Sequence, residues 1–219
     1  RLYQCALDKL ADGVWHTPGL LTVTDTSGRV YRMRYRREHA FELGRMYVSS
    51  SIVSYVISNE FIDLVQNAKR ALQDLRYAND SMRAEAKRYL PTWEADYALP
   101  DATLVVLRKD ADHLCLRDVL NHFKHRGIEV RQVAWIISRL HNVVCYLQWA
   151  GLSHAGISVD TYFADFGLHT GQLIGGWWYA TRIGARMHAL PQYALNVVPH
   201  SVVTDKRAHP RTDLDLVRA

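Results

Sequence analysis

Cysteine is scarce in this chain of 219 residues, and the three that occur (Cys5, Cys115 and Cys145) are odd in number and far apart. That excludes a disulfide framework and a structural zinc module, and it reads as buried thiols in a reducing compartment, so a cytoplasmic location is expected. No apolar run reaches membrane-spanning length and no signal-peptide pattern precedes the first strand, so no membrane partner is expected. Basic residues have little excess: 27 Lys and Arg against 22 Asp and Glu give a net charge of +5, enough to favour an anionic partner but not to make nucleic-acid binding the leading reading. Internal repeats and low-complexity segments are absent. The 11 histidines raise the question of a metal, yet His122 and His125, which would share a helix face, lack a third ligand at short range. Neither a metal nor another cofactor is expected.

A hydrophobic content of 48% is ample for a core in one domain or two small lobes. Residues 21–25 and 30–36 read as two strands around the turn Thr26-Ser27-Gly28. In the second, Tyr31, Met33 and Tyr35 alternate with Arg32, Arg34 and Arg36, which places an apolar face opposite a basic stripe. The β-branched run 52–57 reads as a buried strand. Phe61, Leu64, Val65, Ala68, Leu72 and Leu75 recur at helical spacing, and a second helix covers about 81–89 before Leu90-Pro91 stops it. Strands at 92–97 and 103–108 flank the turn Leu99-Pro100-Asp101. The second half opens with a polar link at 109–113 and a short helix over 114–123. Val133, Ile136, Ile137, Leu140, Val144 and Leu147 then form a long helical stripe that Gly151 terminates. Two brief strands, 161–164 and 173–175, follow.

This order of strand, polar hinge, Leu116-Arg117-Asp118 helix, long helix, Gly151-Leu152-Ser153-His154 and hairpin resembles the path of a protein kinase from its hinge through its catalytic loop. Downstream, Val198-Pro199-His200 stands where that family has Ala-Pro-Glu, and Arg211-Thr212-Asp213-Leu214 is similar to the opening of its next helix. The resemblance implies an α+β, bilobal kinase-like fold. Residues 1–108 would form a β-rich N-lobe with helices and 109–113 the hinge, leaving 114–219 as a mainly helical C-lobe that stops after the start of its central helix. The chain begins at Arg1 without a methionine and stops at Ala219 in mid-pattern, so a piece of a longer protein is expected.

Kinase chemistry needs a lysine on the α/β-phosphates, a glutamate to orient it, an aspartate to accept the substrate proton, and an asparagine and aspartate for magnesium. By the resemblance His154-Ala155-Gly156 stands at the His-Arg-Asp loop, so the proton-accepting aspartate becomes Gly156 and the asparagine falls at or beside Thr161. The metal-binding aspartate becomes Gly176, followed by Trp177. If 52–57 is the lysine strand, it holds no lysine and the next helix no matching glutamate; the alternative, 30–34, offers Arg32 or Arg34 with Glu42 in a partner helix but leaves too many residues before the hinge. Asp213 is implied as a brace beneath the loop. Asp165-Phe166-Gly167 spells the metal tripeptide but lies only 11 residues after His154, where the family leaves about twenty, so Asp165 reads as a turn residue. His125-Arg126-Gly127 precedes the long helix and is likewise discounted.

Trp177 and Trp178, within Gly175-Gly176-Trp177-Trp178-Tyr179, read either as a cleft platform that fills the nucleotide site or as packing beneath it; the segment also suggests a phage-encoded protein, whose place would be the host cytoplasm or the virion. The leading expectation is a catalytically inactive interaction or scaffold module with a protein partner, for which Arg32, Arg34 and Arg36 would be a docking patch. The alternatives are an atypical phosphotransferase using Asp160 and Asp165, and weak nucleic-acid binding through the basic run that Arg29 opens and Arg37 closes.

Overall fold

The computed structural model describes residues 19–125 and 127–219, so Cys5 and Arg126 lie outside the described residues. The described residues divide into two compact units, 19–65 with 92–112 and 66–91 with 113–219. The passage between them falls at 112–113, and residues 66–91 group with the second unit.

The first unit is β-rich. Strands β1 (Gly19–Thr24) and β2 (Val30–Tyr35) pair antiparallel as a separate ribbon. Its turn is held by Asp25, whose carboxylate accepts the amides of Ser27 and Arg29 at 2.9 Å. Strands β3 (Arg37–Phe41), β4 (Gly44–Val48), β5 (Ile52–Ser58), β6 (Thr92–Ala98) and β7 (Ala102–Arg108) form one antiparallel sheet in the order β3-β4-β5-β7-β6. β5 and β7 are central, which accounts for their apolar runs; Val53, Ile57, Val105 and Leu107 are buried. The ribbon lays its aromatic face on this sheet, with Tyr31 tilted over Tyr97 at 4.0 Å and Tyr35 edge-on to Tyr47 at 5.0 Å. The β3–β4 pair was not anticipated, and it corrects the alternative reading of Glu42: the residue sits in the tight turn between these strands, not on a helix. Gly44, at the start of β4, lets that strand approach β5 closely, because a Cβ there would lie 2.0 Å from the Val56 carbonyl oxygen.

Helix α1 (Ile62–Gln73) begins in the first unit and continues into the second, followed by α2 (Asp80–Lys87), whose N-cap Asn79 accepts the Met82 amide at 2.8 Å. Strand β8 (Leu114–Cys115) precedes α3 (Leu116–Phe123); the first two residues of the anticipated helix are strand because Cys115 pairs with Phe163. Helix α4 (Val130–Trp149) buries Ile136, Leu140, Val143, Val144 and Leu147 along one stripe, and Gly151, at φ +76°, takes the left-handed position that ends it. Strand β9 (Leu152–Ser153) follows, then β10 (Tyr162–Asp165) and β11 (Thr170–Leu173). The second strand of this hairpin therefore ends where the sequence placed its start, since residues 170–173 pair with 162–165 and leave 174–176 to turn away. Strand β12 (Thr181–Arg182) pairs with β9, and α5 (His200–Asp205) and α6 (Thr212–Arg218) complete the unit. β7 and β10 belong to separate sheets, as the kinase-like path requires. Among the described residues no helix is long and apolar enough to cross a membrane.

Candidate functional site

The loop after β9 is held from within the second unit. Asp213, fully buried at the start of α6, accepts the His154 amide on Oδ2 at 2.8 Å and the Ala155 amide on Oδ1 at 2.7 Å. Burial pushes its carboxyl up to about 6, against the pull of those two amides. Ala155 has φ +57°, a left-handed conformation that costs a non-glycine residue about 1–2 kcal/mol and that the paired amide bonds hold in place. The His154 ring is also fully buried, and desolvation pulls its pKa down to about 3, so it is neutral. Its Nδ1 accepts the Gly156 amide at 3.2 Å, which puts the ring proton on Nε2.

Thr161 does the local stitching. Its hydroxyl accepts the Ser158 amide at 2.8 Å and lies 2.9 Å from the Gly156 carbonyl, to which it donates. Its own carbonyl accepts the amides of Ile174 at 2.8 Å and Gly175 at 3.1 Å. The segment after β11 is thereby drawn onto the loop, and Gly156 and Gly176 meet back to back. A Cβ on Gly156 would lie 2.7 Å from the Gly176 oxygen and 2.9 Å from Tyr179 Cδ2; one on Gly176 would lie 2.5 Å from the Gly156 oxygen and 2.6 Å from His154 Cε1. The positions at which the resemblance would require two aspartates are thus filled by backbone. A magnesium ion needs carboxylate oxygens, and Gly156, Thr161 and Gly176 do not fit that requirement.

Trp177 and Trp178 are buried in the second unit. The Trp177 indole donates to the Leu173 carbonyl at 3.0 Å and stands edge-on to His154 at 4.7 Å. Asn67, on α1, donates through Nδ2 to the carbonyls of Trp178 at 3.1 Å and Ala180 at 2.8 Å. Sequence reasoning missed this residue; the available signal was a polar amide at position 67 within the spacing of Leu64, Ala68 and Leu72.

Besides Asp213, the two acids considered as displaced catalytic groups are occupied. Asp160 is ion-paired with Arg117, and Asp165 ends β10 with Oδ1 accepting the turn amides of Gly167 at 2.7 Å and Leu168 at 3.1 Å. Arg32, Arg34 and Arg36 are exposed in the first unit, and the register places Arg34 opposite Leu20 and Arg32 opposite Thr22 on the outer face of the ribbon.

No family model matches the sequence, and no curated protein matches it. Among solved structures 568 chains match. One is the structure of vaccinia related kinase 3, with a TM-score of 0.57 and 17% identity over 90% of this chain and 65% of that one. This chain therefore spans just under two thirds of the length of that kinase chain. At this identity the likeness is one of fold: the chain has a protein kinase-like α+β fold, with a β-rich N-terminal sheet and a helical C-terminal part.

Proposed function

We propose that this chain is a catalytically inactive kinase-like module that works by binding a protein partner. The observation that carries the proposal is the backbone contact of Gly156 with Gly176. Substitution of two aspartates by glycine would remove the proton acceptor and a metal ligand; the contact also removes the space from which neighbouring groups could have replaced them. The carboxylates near the loop support the same reading, because Asp213 is taken up by the loop amides, Asp160 by Arg117 and Asp165 by its own turn.

For the partner, the ribbon's outer face combines Arg32 and Arg34 with Leu20 and Val30, which are 59% and 54% exposed. A face of this kind suits an acidic, partly apolar protein surface better than DNA or RNA, since a short row of arginines supplies charge without base-reading geometry. Incubation with labelled ATP, magnesium and generic protein acceptors is expected to transfer no phosphate. Incorporation that vanishes in Asp165→Asn would identify an atypical phosphotransferase and end this reading.

A further inference from the structure

A cavity of about 430 Å3 opens in the second unit between the C-terminal half of α1, the turn that ends α4 and residues 180–188. Its apolar wall is made by Ala71, Leu75, Leu152 and Ile183. Its charged groups are unbalanced: Arg70, Arg76, Arg182 and Arg186 face a single acid, Asp74, with His188 beside them.

Several arginines elsewhere are paired, as in Arg45 with Glu38, Arg88 with Glu85, Arg108 with Glu94 and Arg211 with Asp215, while others, such as Arg139 and Arg207, bond to backbone carbonyls. Among the described residues none of the four cavity arginines has an ion-pair partner, and Arg70 donates only to the Gln66 carbonyl of its own helix, at 3.3 Å. Four guanidinium groups therefore line one cavity with a single carboxylate among them, a positive surface that an anion would complement.

We propose that this cavity binds a phosphate monoester carried on an organic body. The forked donors of arginine match phosphate oxygens two at a time, which favours phosphate over a simple carboxylate. The volume lies in the range of small-ligand sites and exceeds what a bare inorganic ion needs, while the apolar wall offers a surface to the ester's carbon skeleton. The site is independent of the inert loop: a chain that proved to be an active phosphotransferase would carry the same cavity.

Phenyl phosphate is the probe, titrated calorimetrically into the 219-residue chain at low salt. Saturable binding is expected, tighter than that of inorganic phosphate or phenol. Arg182→Ala and Arg186→Ala should each weaken it about tenfold, the equivalent of one lost charge-assisted contact. Both side chains are exposed and unpaired among the described residues, so the melting temperature without ligand should not move. Arg186→Lys, which keeps the charge and loses the fork, should fall between. Arg131→Ala, which removes an exposed arginine from α4, should leave binding intact. A phosphotyrosine peptide that binds more tightly than phenyl phosphate would identify a peptide source; equal affinity would identify a small ester. The proposal is overturned if phenyl phosphate does not bind, if phenol or inorganic phosphate binds as well, or if Arg131→Ala weakens binding as much as the cavity variants do.

Discussion

Three glycines separate steric closure of the loop from ordinary backbone strain. Gly151 has φ +76° with open space where a Cβ would go, Gly156 has the close contacts without a left-handed φ, and Gly176 at φ +82° has both. Alanine at Gly151 bears only the left-handed cost of about 1–2 kcal/mol, partly offset by about 0.4–1 kcal/mol from a stiffer unfolded chain, so a loss of about 1 kcal/mol is expected. At Gly156 the new methyl would meet the Gly176 oxygen at 2.7 Å and its Cα at 3.0 Å, backbone atoms that cannot rotate aside. Overpacking of that kind costs about 1–3 kcal/mol. Gly176→Ala combines both terms, about 2–5 kcal/mol. Gly156→Asp, the change that would restore the missing acid, should exceed Gly156→Ala, because a carboxylate is added where no partner waits for it. Urea unfolding at pH 7, followed by the fluorescence of buried Trp177 and Trp178, reads all four variants in the unit concerned. A neutral Gly156→Ala, or a Gly176→Ala that costs no more than Gly151→Ala, would show that the loop is not sterically closed.

Asn67→Ala should lose about 1–3 kcal/mol, because the carbonyls of Trp178 and Ala180 lose their donor, and Asn67→Asp should lose more, since a carboxylate would face two carbonyl oxygens. The same urea assay reads both, and an Asn67→Asp loss smaller than that of Asn67→Ala would contradict this. The pH dependence follows from two buried groups. Asp213, raised to about 6, contributes stability that is present below 3.8 and lost as pH rises through 6, whereas His154, lowered to about 3, contributes stability that is present above 6.5 and lost as pH falls toward 3. Between about pH 4 and 6 the two oppose each other, so relative to wild type Asp213→Asn should lose about 1.4 kcal/mol for each pH unit of acidification and His154→Gln should tilt the opposite way; parallel curves for all three proteins would refute the assignment.

Elements whose periodicity is set by their own burial were legible in the sequence. The α4 stripe, the central strand β5 and the Gly151 stop lie close to their anticipated positions because each is specified by side chains within a few residues of one another. The β3–β4 pair was not legible: Arg37, Glu38 and His39 break the apolar alternation, and the strands exist because β4 is completed by β5. Leu114–Cys115 reads as the start of a helix until β10 supplies its partner. The absence of aspartate at positions 156 and 176 was visible from the residues alone. The closure of the loop was not, since the contact joins positions 156 and 176, and the Asn67 bonds join positions more than a hundred apart.

The central claim is that the loop around Gly156 has no place for magnesium-assisted phosphate chemistry. Calorimetric titration of ATP into the chain, with and without magnesium, tests it most directly. No magnesium-dependent binding is expected at any concentration up to about 1 mM, the weak end of the usual affinity scale. Saturable ATP binding that requires magnesium, and that is lost in Asp165→Asn or Asp160→Asn, would contradict it.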